Sequence, residues 1–386
     1  MTEQVVVLGS GYAGAGAVRS LEDELDGEAD VVWVSDTDYH LVLHESHRCI
    51  SDPDVAEKIT FPVEDIKSPR TQFIQGRVVG IDVDERTVIL DDGEVDYDYL
   101  LVGIGSRTAF FGIEGLETHA HTLKGLDDAL GIHEDLVAAA NEATQSDPAQ
   151  IVVGGAGLSG IQTAGEVAEF RDDHNAPFDV SLVEGLDEIF PGNDDSVQAA
   201  LRKRLEARDV QVLTGEFVSE VDEDVVHIGE DDELPYDVLV WTGGIAGREA
   251  VRDADIEKDE RNYRLNAGHT FQTSDERVFA IGDAALIEQN SDPAPPSAQA
   301  AWQAAAVVGV NIARAIRDQP LKEWTYKDKG TVISVGESAV AHDVSLVPFV
   351  GTFGGFPARM LKKIIAARWI ASVAGYREAL AAWPDM

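Results

Sequence analysis

Short continuous runs of hydrophobic residues are followed at once by glycine along this chain. Residues 5–8 form such a run within a strand predicted over residues 4–8, and Gly-Ser-Gly-Tyr-Ala-Gly at positions 9–14 follows directly. An Ala-rich stretch of helical spacing continues to about Leu25, and a second apolar run over residues 30–34 ends at Ser35-Asp36. Buried strand, Gly-rich turn, helix and second strand are the order of a dinucleotide-binding unit, whose helix N-terminus binds a pyrophosphate.

The same order occurs a second time. A strand is predicted over residues 150–153, Gly-Ala-Gly-Leu-Ser-Gly occupies positions 155–160, a helix is predicted over 161–170, and a strand over 179–183 ends at Glu184. Apolar segments at 97–105 and 235–244 echo each other and end in glycine. The pattern therefore predicts an α/β fold with two Rossmann-like dinucleotide-binding domains.

Two further segments extend this prediction. Alternation of apolar and polar residues from 73 to 90 indicates antiparallel strands, with a hairpin turn at Asp91-Asp-Gly93. Residues 278–283 indicate a buried strand ending in Gly282-Asp283, and Ser297 is the predicted N-cap of a helix from Ala298 to about Ile316. A carboxylate at a strand end can accept hydrogen bonds from a ribityl chain, and a helix N-terminus can stabilise negative charge on a ring system, so this combination suits a flavin.

An acidic residue ends the second strand of each unit, where it would bind ribose hydroxyls. In the first unit this residue is Asp36, and in the second it is Glu184. A carboxylate there repels a 2′-phosphate, and the next basic residue after Glu184 is Arg202. The second unit is therefore predicted to prefer NAD to NADP.

The composition is strongly acidic. The chain has 386 residues, enough for two or three domains, with 71 acidic against 30 basic side chains and a net charge of −41. This excess argues against nucleic acid as a partner, because no basic surface is available to neutralise phosphates. It also suggests a halophile, whose molar cytoplasmic salt would screen the repulsion; the alternative is an acidic enzyme from an ordinary cytoplasm. Unfolding measured in dilute buffer and in molar salt distinguishes the two.

Metal and disulfide chemistry have little support in the sequence. Cys49 is the only cysteine, which excludes an intrachain disulfide or a multi-cysteine metal site, and a lone thiol is more often inert than catalytic. His40, His44 and His47 lie close together, but no second cluster completes a metal site, so satisfied loop histidines are the favoured interpretation. Neither a signal peptide nor a membrane-spanning run is recognisable, so a cytoplasmic protein is expected.

On these motifs the chain resembles the two-dinucleotide-domain flavoprotein reductases, which are glutathione-reductase-like, and within them the type II NADH:quinone oxidoreductases. The resemblance implies an FAD domain over residues 1–112 and 265–320, an NAD domain over 113–264, and a C-terminal α+β interface and membrane-anchoring region over 321–386. It implies FAD binding by Gly9, Gly11, Gly14, Ser35, Asp36, Val78, Gly105, Gly282, Asp283, Ala298 and Gln299. It implies NADH binding by Gly155, Gly157, Gly160, Glu184 and Gly244.

The family's quinone-site signature, Ala-Gln-x-Ala-x-Gln, is similar to residues 298–303, and its Lys-Gly pair matches Lys329-Gly330. Gln299 and Gln303 share a helix face, as a clamp on quinone oxygens requires; the alternative is that they satisfy buried backbone groups. The family usually has Glu at position 162, where this chain has Gln162, whereas Glu166 is retained. The implied catalytic residues are Gln299, Gln303, Gln162, Glu166 and Lys329, and the substitution at 162 places the proton route in question.

The segment over residues 356–377 has five basic residues and no acidic one. Met360, Leu361, Ile364 and Ile365 share one side of a helical wheel, with Arg359, Lys362 and Lys363 on the other, and Arg368 interrupts the apolar side. This pattern predicts a helix in the interface of an anionic membrane, with Trp369 and Trp383 at headgroup depth. The alternative is a helix that docks on the flavin domain or forms a dimer interface.

Together these features predict an FAD enzyme that passes electrons from NADH to a membrane quinone without pumping protons. The resemblance adds a peripheral location on the cytoplasmic face of the cell membrane and a homodimer. Two alternatives change the acceptor or the role. One is a soluble NADH-dependent reductase of a small iron protein, for which a basic C-terminal patch would suit an acidic carrier. The other is a flavin-containing NADH sensor.

Overall fold

The computed structural model describes residues 2–229, 232–345, 347 and 351–383. Its first sheet has five strands, all parallel, and Val5, Val6, Val7 and Leu8 at its centre are fully buried. A parallel strand covered on both faces is a continuous hydrophobic run, which explains the sequence pattern there. The strands, in spatial order, are Val278–Ala280, Tyr99–Val102, Glu3–Leu8, Ala29–Ser35 and Gln72–Gln75.

The second sheet repeats the first in order and direction. Its four parallel strands are Val210–Thr214, Phe178–Glu184, Ala149–Gly154 and Val238–Trp241. A three-stranded antiparallel sheet is inserted in each chain segment before a later parallel strand. It comprises Val78–Asp82, Thr87–Leu90 and Gly93–Asp96 before Tyr99–Val102, and Val218–Val221, Val225–Ile228 and Asp232–Pro235 before Val238–Trp241. The α/β fold with two Rossmann-like units and the hairpin at Asp91 are thus confirmed. We call the two units the first and second modules.

Long helices follow the Gly-rich turns. Tyr12–Leu25 follows the first turn, and Leu158–His174 follows the second, starting earlier than predicted because the helix begins immediately after Gly157. Ser297 caps Ala298–Ile316 as predicted, its Oγ accepting a hydrogen bond from Ala300 N at 3.2 Å. The remaining long helices of the described residues before the C-terminal region are Leu126–Glu142 and Asp195–Glu206.

Short elements connect these layers. The antiparallel pairs are Tyr39–Leu41 with Thr60–Pro62 and Ser106–Thr108 with Ile245–Gly247, and a parallel pair joins Leu265–Ala267 to Ala285–Ile287. The short α-helices are Ala56–Ile59, Val63–Ile66 and Leu116–His119. The 3-10 helices are Leu43–Ile50, Pro53–Val55, Glu249–Val251 and Gly282–Ala284.

The C-terminal region is an antiparallel sheet of Thr331–Val335, Ser338–His342 and Thr352–Gly354, followed by helices Phe356–Val373 and Tyr376–Ala382. Phe356–Val373, here called the C-terminal helix, docks on the first module. Trp369 is 1% exposed and donates its indole N–H to His40 Nε2 at 2.8 Å. An added Cβ on Gly16 would lie 2.8 Å from Ala305 Cβ and 3.4 Å from the Trp369 ring, so glycine allows close packing at this point.

Two predictions for this helix are therefore wrong. Trp369 is in the core and not at headgroup depth, and Lys362, predicted on the polar face, is buried. The helical wheel could not show that Lys362 has an ion-pair partner, Glu45, at 3.4 Å on a distant segment. Among the described residues, no helix combines the length and the apolar character that crossing a bilayer requires.

Candidate functional site

The two Gly-rich turns have the same construction. Gly9 and Gly155 have φ of 96° and 88°, a region that side chains rarely adopt. An added Cβ on Gly14 would lie 1.8 Å from Gly9 O, and one on Gly160 would lie 1.8 Å from Gly155 O. The first and third glycines of each turn are therefore required by the packing of strand against helix.

The middle glycines are different. Gly11 and Gly157 have φ of −73° and −70°, which any residue adopts, and an added Cβ would meet no atom within 4 Å. The protein itself does not require glycine at these positions. The open space beside each helix N-terminus fits a pyrophosphate that approaches the backbone closely.

One large cleft of about 2360 Å³ joins the first turn to the start of Ala298–Ile316 and to the C-terminal helix. Thirteen of the predicted site residues line it: Gly9, Gly11, Ser35, Asp36, Val78, Gly105, Gln162, Gly282, Asp283, Ala298, Gln299, Gln303 and Lys329. The other predicted residues do not line this cleft: Gly14, Gly155, Gly157, Gly160, Glu166, Glu184 and Gly244. Leu158 and Ser159, next to the second turn, do line it, so the second turn adjoins the same cleft.

The ends of the second strands differ between the modules. Ser35 is buried, and its hydroxyl donates to Ser10 Oγ at 2.9 Å, while Asp36 is exposed at the cleft. Glu184 is held by two backbone N–H groups, from Ala156 at 2.8 Å and from Leu186 at 3.0 Å. The Glu184 carboxylate is thus fixed beside the second turn, where a ribose would lie.

Asp283 lies in a set of polar contacts that sequence reasoning missed. Its carboxylate accepts from Ser106 Oγ at 3.2 Å, and its backbone carbonyl accepts from the buried Arg264 guanidinium at 2.8 Å. Lys124 Nζ donates to Ser106 Oγ at 3.3 Å, and burial lowers the pKa of its ammonium although Asp283 opposes this. These partners come from segments far apart in sequence, and no local motif marks them.

The two predicted quinone-site glutamines bind the backbone of residues 327–330. Gln299 donates to Gly330 O at 3.2 Å and accepts from Lys329 N at 2.7 Å. Gln303 donates to Lys327 O at 2.9 Å and accepts from Lys327 N at 3.2 Å. Both amides therefore satisfy backbone groups in the structure, which is the alternative to a direct clamp on quinone oxygens. They fix this segment beside the helix N-terminus.

A buried polar cluster lies under the C-terminal helix. It consists of Glu45, His47, Gln162, Glu166, Ser334 and Lys362. Lys362 Nζ donates to Ser334 Oγ at 2.7 Å and lies 3.1 Å from His47 Nε2. Gln162 Nε2 donates to Ser334 Oγ at 3.1 Å and lies 3.2 Å from His47 Nε2. Glu166 Oε2 accepts from Ser51 Oγ at 2.6 Å, and its Oε1 is 4.0 Å from His47 Nε2.

Burial sets the protonation of this cluster. It raises the pKa of Glu166 to about 7, and it lowers the pKa of His47 well below the ordinary value, with Lys362 acting in the same direction. Burial also lowers the pKa of Lys362, while Glu45 and Glu166 oppose that shift. For Glu45, burial alone would raise the pKa, but Lys362 and other cations prevail and lower it. The Glu166 carboxyl therefore titrates near neutral pH, next to a His47 that is neutral at that pH.

The cluster lies between two openings. His47, Gln162 and Lys362 line the large cleft. A second, smaller pocket of about 170 Å³ is lined by Ser51, Glu166, Lys362 and charged surface residues that include Glu169 and Arg359. The cluster is thus a continuous polar connection from this pocket to the large cleft.

The cleft has an aromatic end beside the C-terminal helix. The ring of Trp369 lies 4.4 Å from that of Tyr12 and 4.9 Å from that of Trp302, measured between centroids. The Arg368 guanidinium lies over Trp302 at 5.7 Å, and the exposed Ile364 lines the same opening. Apolar and aromatic side chains at the open end of a cleft suit a flat apolar ring. We call this end the aromatic mouth.

The lone thiol and His40 have structural roles. Cys49 is buried, and burial raises the pKa of its thiol to about 12, so it is not a thiolate at neutral pH. His40 is hydrogen-bonded to Ser10 O at 2.7 Å and to Trp369, which confirms the interpretation as a satisfied histidine. In the described part of the chain, the side chains close enough together to hold a metal ion are those of Asp194, His342 and Asp343. This group includes none of the three clustered histidines.

Comparison with known proteins gives a family for this fold. Residues 3–305 match the family described as pyridine nucleotide-disulphide oxidoreductase. The type II NADH:quinone oxidoreductase of Staphylococcus aureus is 29% identical over 399 aligned positions, which cover 97% of this chain and 96% of that protein.

Solved structures share the fold over almost the whole chain. The NDH2 of Plasmodium falciparum in complex with NADH has a TM-score of 0.87 at 17% identity, covering 100% of this chain and 98% of that one. The sulfide:quinone oxidoreductase of Aquifex aeolicus has a TM-score of 0.80 at 20% identity, covering 97% and 92%. A ferredoxin reductase of Rhodopseudomonas palustris has a TM-score of 0.73 at 18% identity, covering 88% and 82%.

The first turn gives a prediction that separates packing from ligand binding. Gly14→Ala should destabilise the fold by about 1–3 kcal/mol or more, because its Cβ would overlap Gly9 O. Gly11→Ala should leave the stability of the flavin-free protein unchanged but lower the FAD content several-fold. Thermal unfolding after flavin removal and the flavin-to-protein absorbance ratio measure the two effects. Full FAD content in Gly11→Ala would contradict the assignment of the open space.

Proposed function

The chain belongs to the pyridine nucleotide-disulphide oxidoreductase family, and we propose that it is a type II NADH:quinone oxidoreductase, a flavoenzyme that carries electrons from NADH through FAD to a membrane quinone without pumping protons. One observation carries this function: the cleft that begins at the first Gly-rich turn continues to the aromatic mouth. The only cysteine, Cys49, is buried and does not line that cleft, so no cysteine pair stands between nucleotide and acceptor. An acceptor would enter through the mouth itself.

The first module fits FAD. The open space at Gly11 would hold the pyrophosphate, the Asp283 carboxylate would accept from ribityl hydroxyls, and Val78 and Gly105 also line the cleft. The N-terminus of Ala298–Ile316 faces the same cleft and would stabilise negative charge there. When bound, FAD takes up two electrons as a hydride from NADH and releases them to a quinone.

The second module fits NADH. Gly157 leaves the same open space as Gly11, and the fixed Glu184 carboxylate would accept from ribose hydroxyls and repel a 2′-phosphate. We therefore propose NADH as the preferred donor. In domain terms, residues 1–112 and 265–320 would form the FAD domain, residues 113–264 the NAD domain, and residues 321–386 the interface region.

The aromatic mouth is proposed as the quinone site. Gln299 and Gln303 would contribute by holding residues 327–330, including Lys329, at one edge of the cleft. The partly exposed ring of Trp302, held in place by the buried Trp369, would provide an apolar face for the quinone ring. The exposed Ile364 lies where an isoprenoid tail would leave the protein.

The buried polar cluster is proposed as the source of protons for the quinone oxygens. Forming a quinol consumes two protons, and Gln162 cannot release one. Glu166 opens to the smaller pocket and has a pKa of about 7, so it holds a proton that His47 and Lys362 can pass to the cleft. In this proposal Gln162 keeps the donor geometry through Ser334, and Glu166 one turn later carries the exchangeable proton.

The alternative acceptor, a small iron protein, is not favoured. That hypothesis depended on a basic patch along the C-terminal helix. Lys362 is buried, and Arg359 is paired with Glu337, so two of the five basic side chains of the expected patch are unavailable to a partner. A regulatory role without turnover has no feature of its own in the described residues to support it.

The exposed face of the C-terminal region is proposed to contact the membrane. Phe356, Ile364, Tyr376 and Leu380 are exposed by 73%, 45%, 87% and 76%. The basic Arg368 and Arg377 are also exposed. Apolar side chains beside cations suit the interface of anionic lipids, which would place the enzyme peripherally on the cytoplasmic face. A homodimer through the same region is the competing use of this face.

The proposed function predicts two separable half-reactions. Stopped-flow mixing with NADH should bleach the flavin, and a second mixing with a soluble quinone should restore its absorbance. Gln303→Leu should slow the second step about tenfold or more, because residues 327–330 lose an anchor, and leave the first unchanged. Bleaching without recovery in the unaltered protein would remove quinone as the acceptor. Equal loss of both steps in Gln303→Leu would contradict its place on the quinone side.

The proton proposal predicts a pH dependence with a defined sign. A carboxyl whose pKa is about 7 is protonated below that pH and loses its proton as the pH rises through it. Quinone-dependent reoxidation should therefore slow above pH about 7, and Glu166→Gln should lower the rate about 100-fold below that pH and flatten the profile. Asp173→Asn, at an exposed carboxyl on the same pocket, is the matched control and should keep the profile. An unchanged profile in Glu166→Gln would exclude this route.

The membrane proposal predicts flotation with vesicles that contain anionic lipid. Replacing both Tyr376 and Leu380 by Ser should reduce the floating fraction several-fold without changing NADH oxidation by a soluble quinone. Phe111→Ser, which alters a 70% exposed side chain outside this region, should float normally. If the unaltered protein stays at the bottom and sediments with a doubled mass that the double variant loses, the face is a dimer interface instead.

A further inference from the structure

A repeated hydrogen bond aligns the two modules residue by residue. In each parallel sheet a glycine directly follows the edge strand, Gln72–Gln75 in the first and Val210–Thr214 in the second. Its N–H donates to the carbonyl of the last residue of the neighbouring strand. In the first module Gly76 donates to Ser35 O at 2.9 Å, and in the second Gly215 donates to Glu184 O at 3.0 Å. Each glycine leads into the antiparallel sheet, which begins at Val78 or at Val218. The loop after each glycine therefore occupies the same place in its module.

In the first module this loop lines the nucleotide cleft. Arg77 and Val78 belong to the cleft lining together with Ser35 and Asp36. The second module has one more residue between its glycine and its antiparallel sheet, and the loop carries Glu216 and Phe217. The insertion thus places a large aromatic side chain where the first module has none.

Phe217 is presented to solvent by a fixed backbone. Its side chain is 65% exposed, although its carbonyl accepts a hydrogen bond from Gly229 N at 2.9 Å. The ring lies over Gly185, the residue after Glu184: an added Cβ on Gly185 would lie 2.3 Å from the Phe217 ring. Leu186, 48% exposed, is tied to the same loop, its carbonyl accepting from Gly215 N at 2.9 Å.

Burial in the folded chain does not account for this arrangement, since most of the Phe217 side chain stays exposed. An exposed phenyl ring on a rigid loop gains little from burial, and Gly185 next to the ribose-binding carboxylate is the residue that makes room for it. Neighbouring apolar side chains that stay exposed usually mark a binding surface. Because Gly185 directly follows Glu184, the Phe217 ring over Gly185 lies close to the carboxylate that would hold the ribose.

We propose that Phe217 is the stacking platform for the adenine ring of NADH, with Glu184 holding the adjoining ribose. The inference rests on the proposed use of NADH and adds a residue that determines affinity for the adenylate half of the donor. Stacking on an aromatic face strengthens binding about ten- to a hundredfold per base. The nicotinamide half lies elsewhere and gains nothing from Phe217.

The test uses the FAD-loaded enzyme and titrates it with ADP-ribose by calorimetry, which requires no turnover. Phe217→Ala should weaken ADP-ribose binding about ten- to a hundredfold, and Phe217→Trp should restore it, because any aromatic ring can stack. Phe356→Ala, at a 73% exposed phenylalanine on the C-terminal helix, is the matched control and should bind normally. Unchanged affinity in Phe217→Ala, or equal weakening in Phe217→Trp, would overturn the proposal.

A second readout separates this inference from the proposed function. The rate of flavin bleaching is compared for NADH and for reduced nicotinamide mononucleotide, which lacks the adenylate. Phe217→Ala should raise the NADH concentration needed for half-maximal rate about tenfold or more and leave the mononucleotide reaction unchanged. Equal effects on both donors would reject an adenine-specific role. If the unaltered enzyme is not bleached by NADH at all, the proposed function fails, while the ADP-ribose titration still decides the role of Phe217.

Discussion

The buried ammonium of Lys362 constrains this structure more than any other single group. Removing a charge from water costs several kcal/mol unless close partners compensate it. Its partners come from distant parts of the chain: Glu45 from Leu43–Ile50 and Ser334 from Thr331–Val335, with His47 and Gln162 beside them. Four elements must therefore meet at one point. This fixes the C-terminal helix on the first module, brings Trp369 onto Tyr12, and so forms the aromatic mouth.

The repeated local patterns were predictable from sequence, whereas the meeting of four distant elements at Lys362 was not. The Gly-rich turns, the buried strands and the Ser297 cap each depend on neighbours within a few residues, so their signals are local. The partners of Lys362, Asp283 and Gln299 depend on contacts between residues far apart in the chain. A helical wheel records only which side chains share a face. It placed Lys362 towards solvent because it had no information about Glu45.

The polar cluster also gives a physical reason for Gln162. A glutamate at this position would add a third carboxyl to a buried site that already holds Glu45 and Glu166, with Lys362 as the buried ammonium. Neighbouring carboxylates in a buried site raise each other's pKa. An amide avoids this repulsion and can still donate to Ser334. The substitution thus leaves Glu166 as the carboxyl of the cluster whose pKa lies near neutrality, since cations hold the pKa of Glu45 low.

The two modules differ in how far they enclose their proposed ligands, a resident FAD in the first and an exchanging NADH in the second. In the first module Ser35 is buried and bonded to Ser10, and the C-terminal helix packs over the turn through Trp369 and Tyr12. Such enclosure suits a resident cofactor, whose affinity can be spread over many buried contacts. A co-substrate must leave after every turnover, so complete burial would slow its release. An exposed ring such as Phe217 beside a fixed carboxylate offers affinity from two contacts while leaving the exit open. The same folding pattern therefore supports retention in one module and exchange in the other.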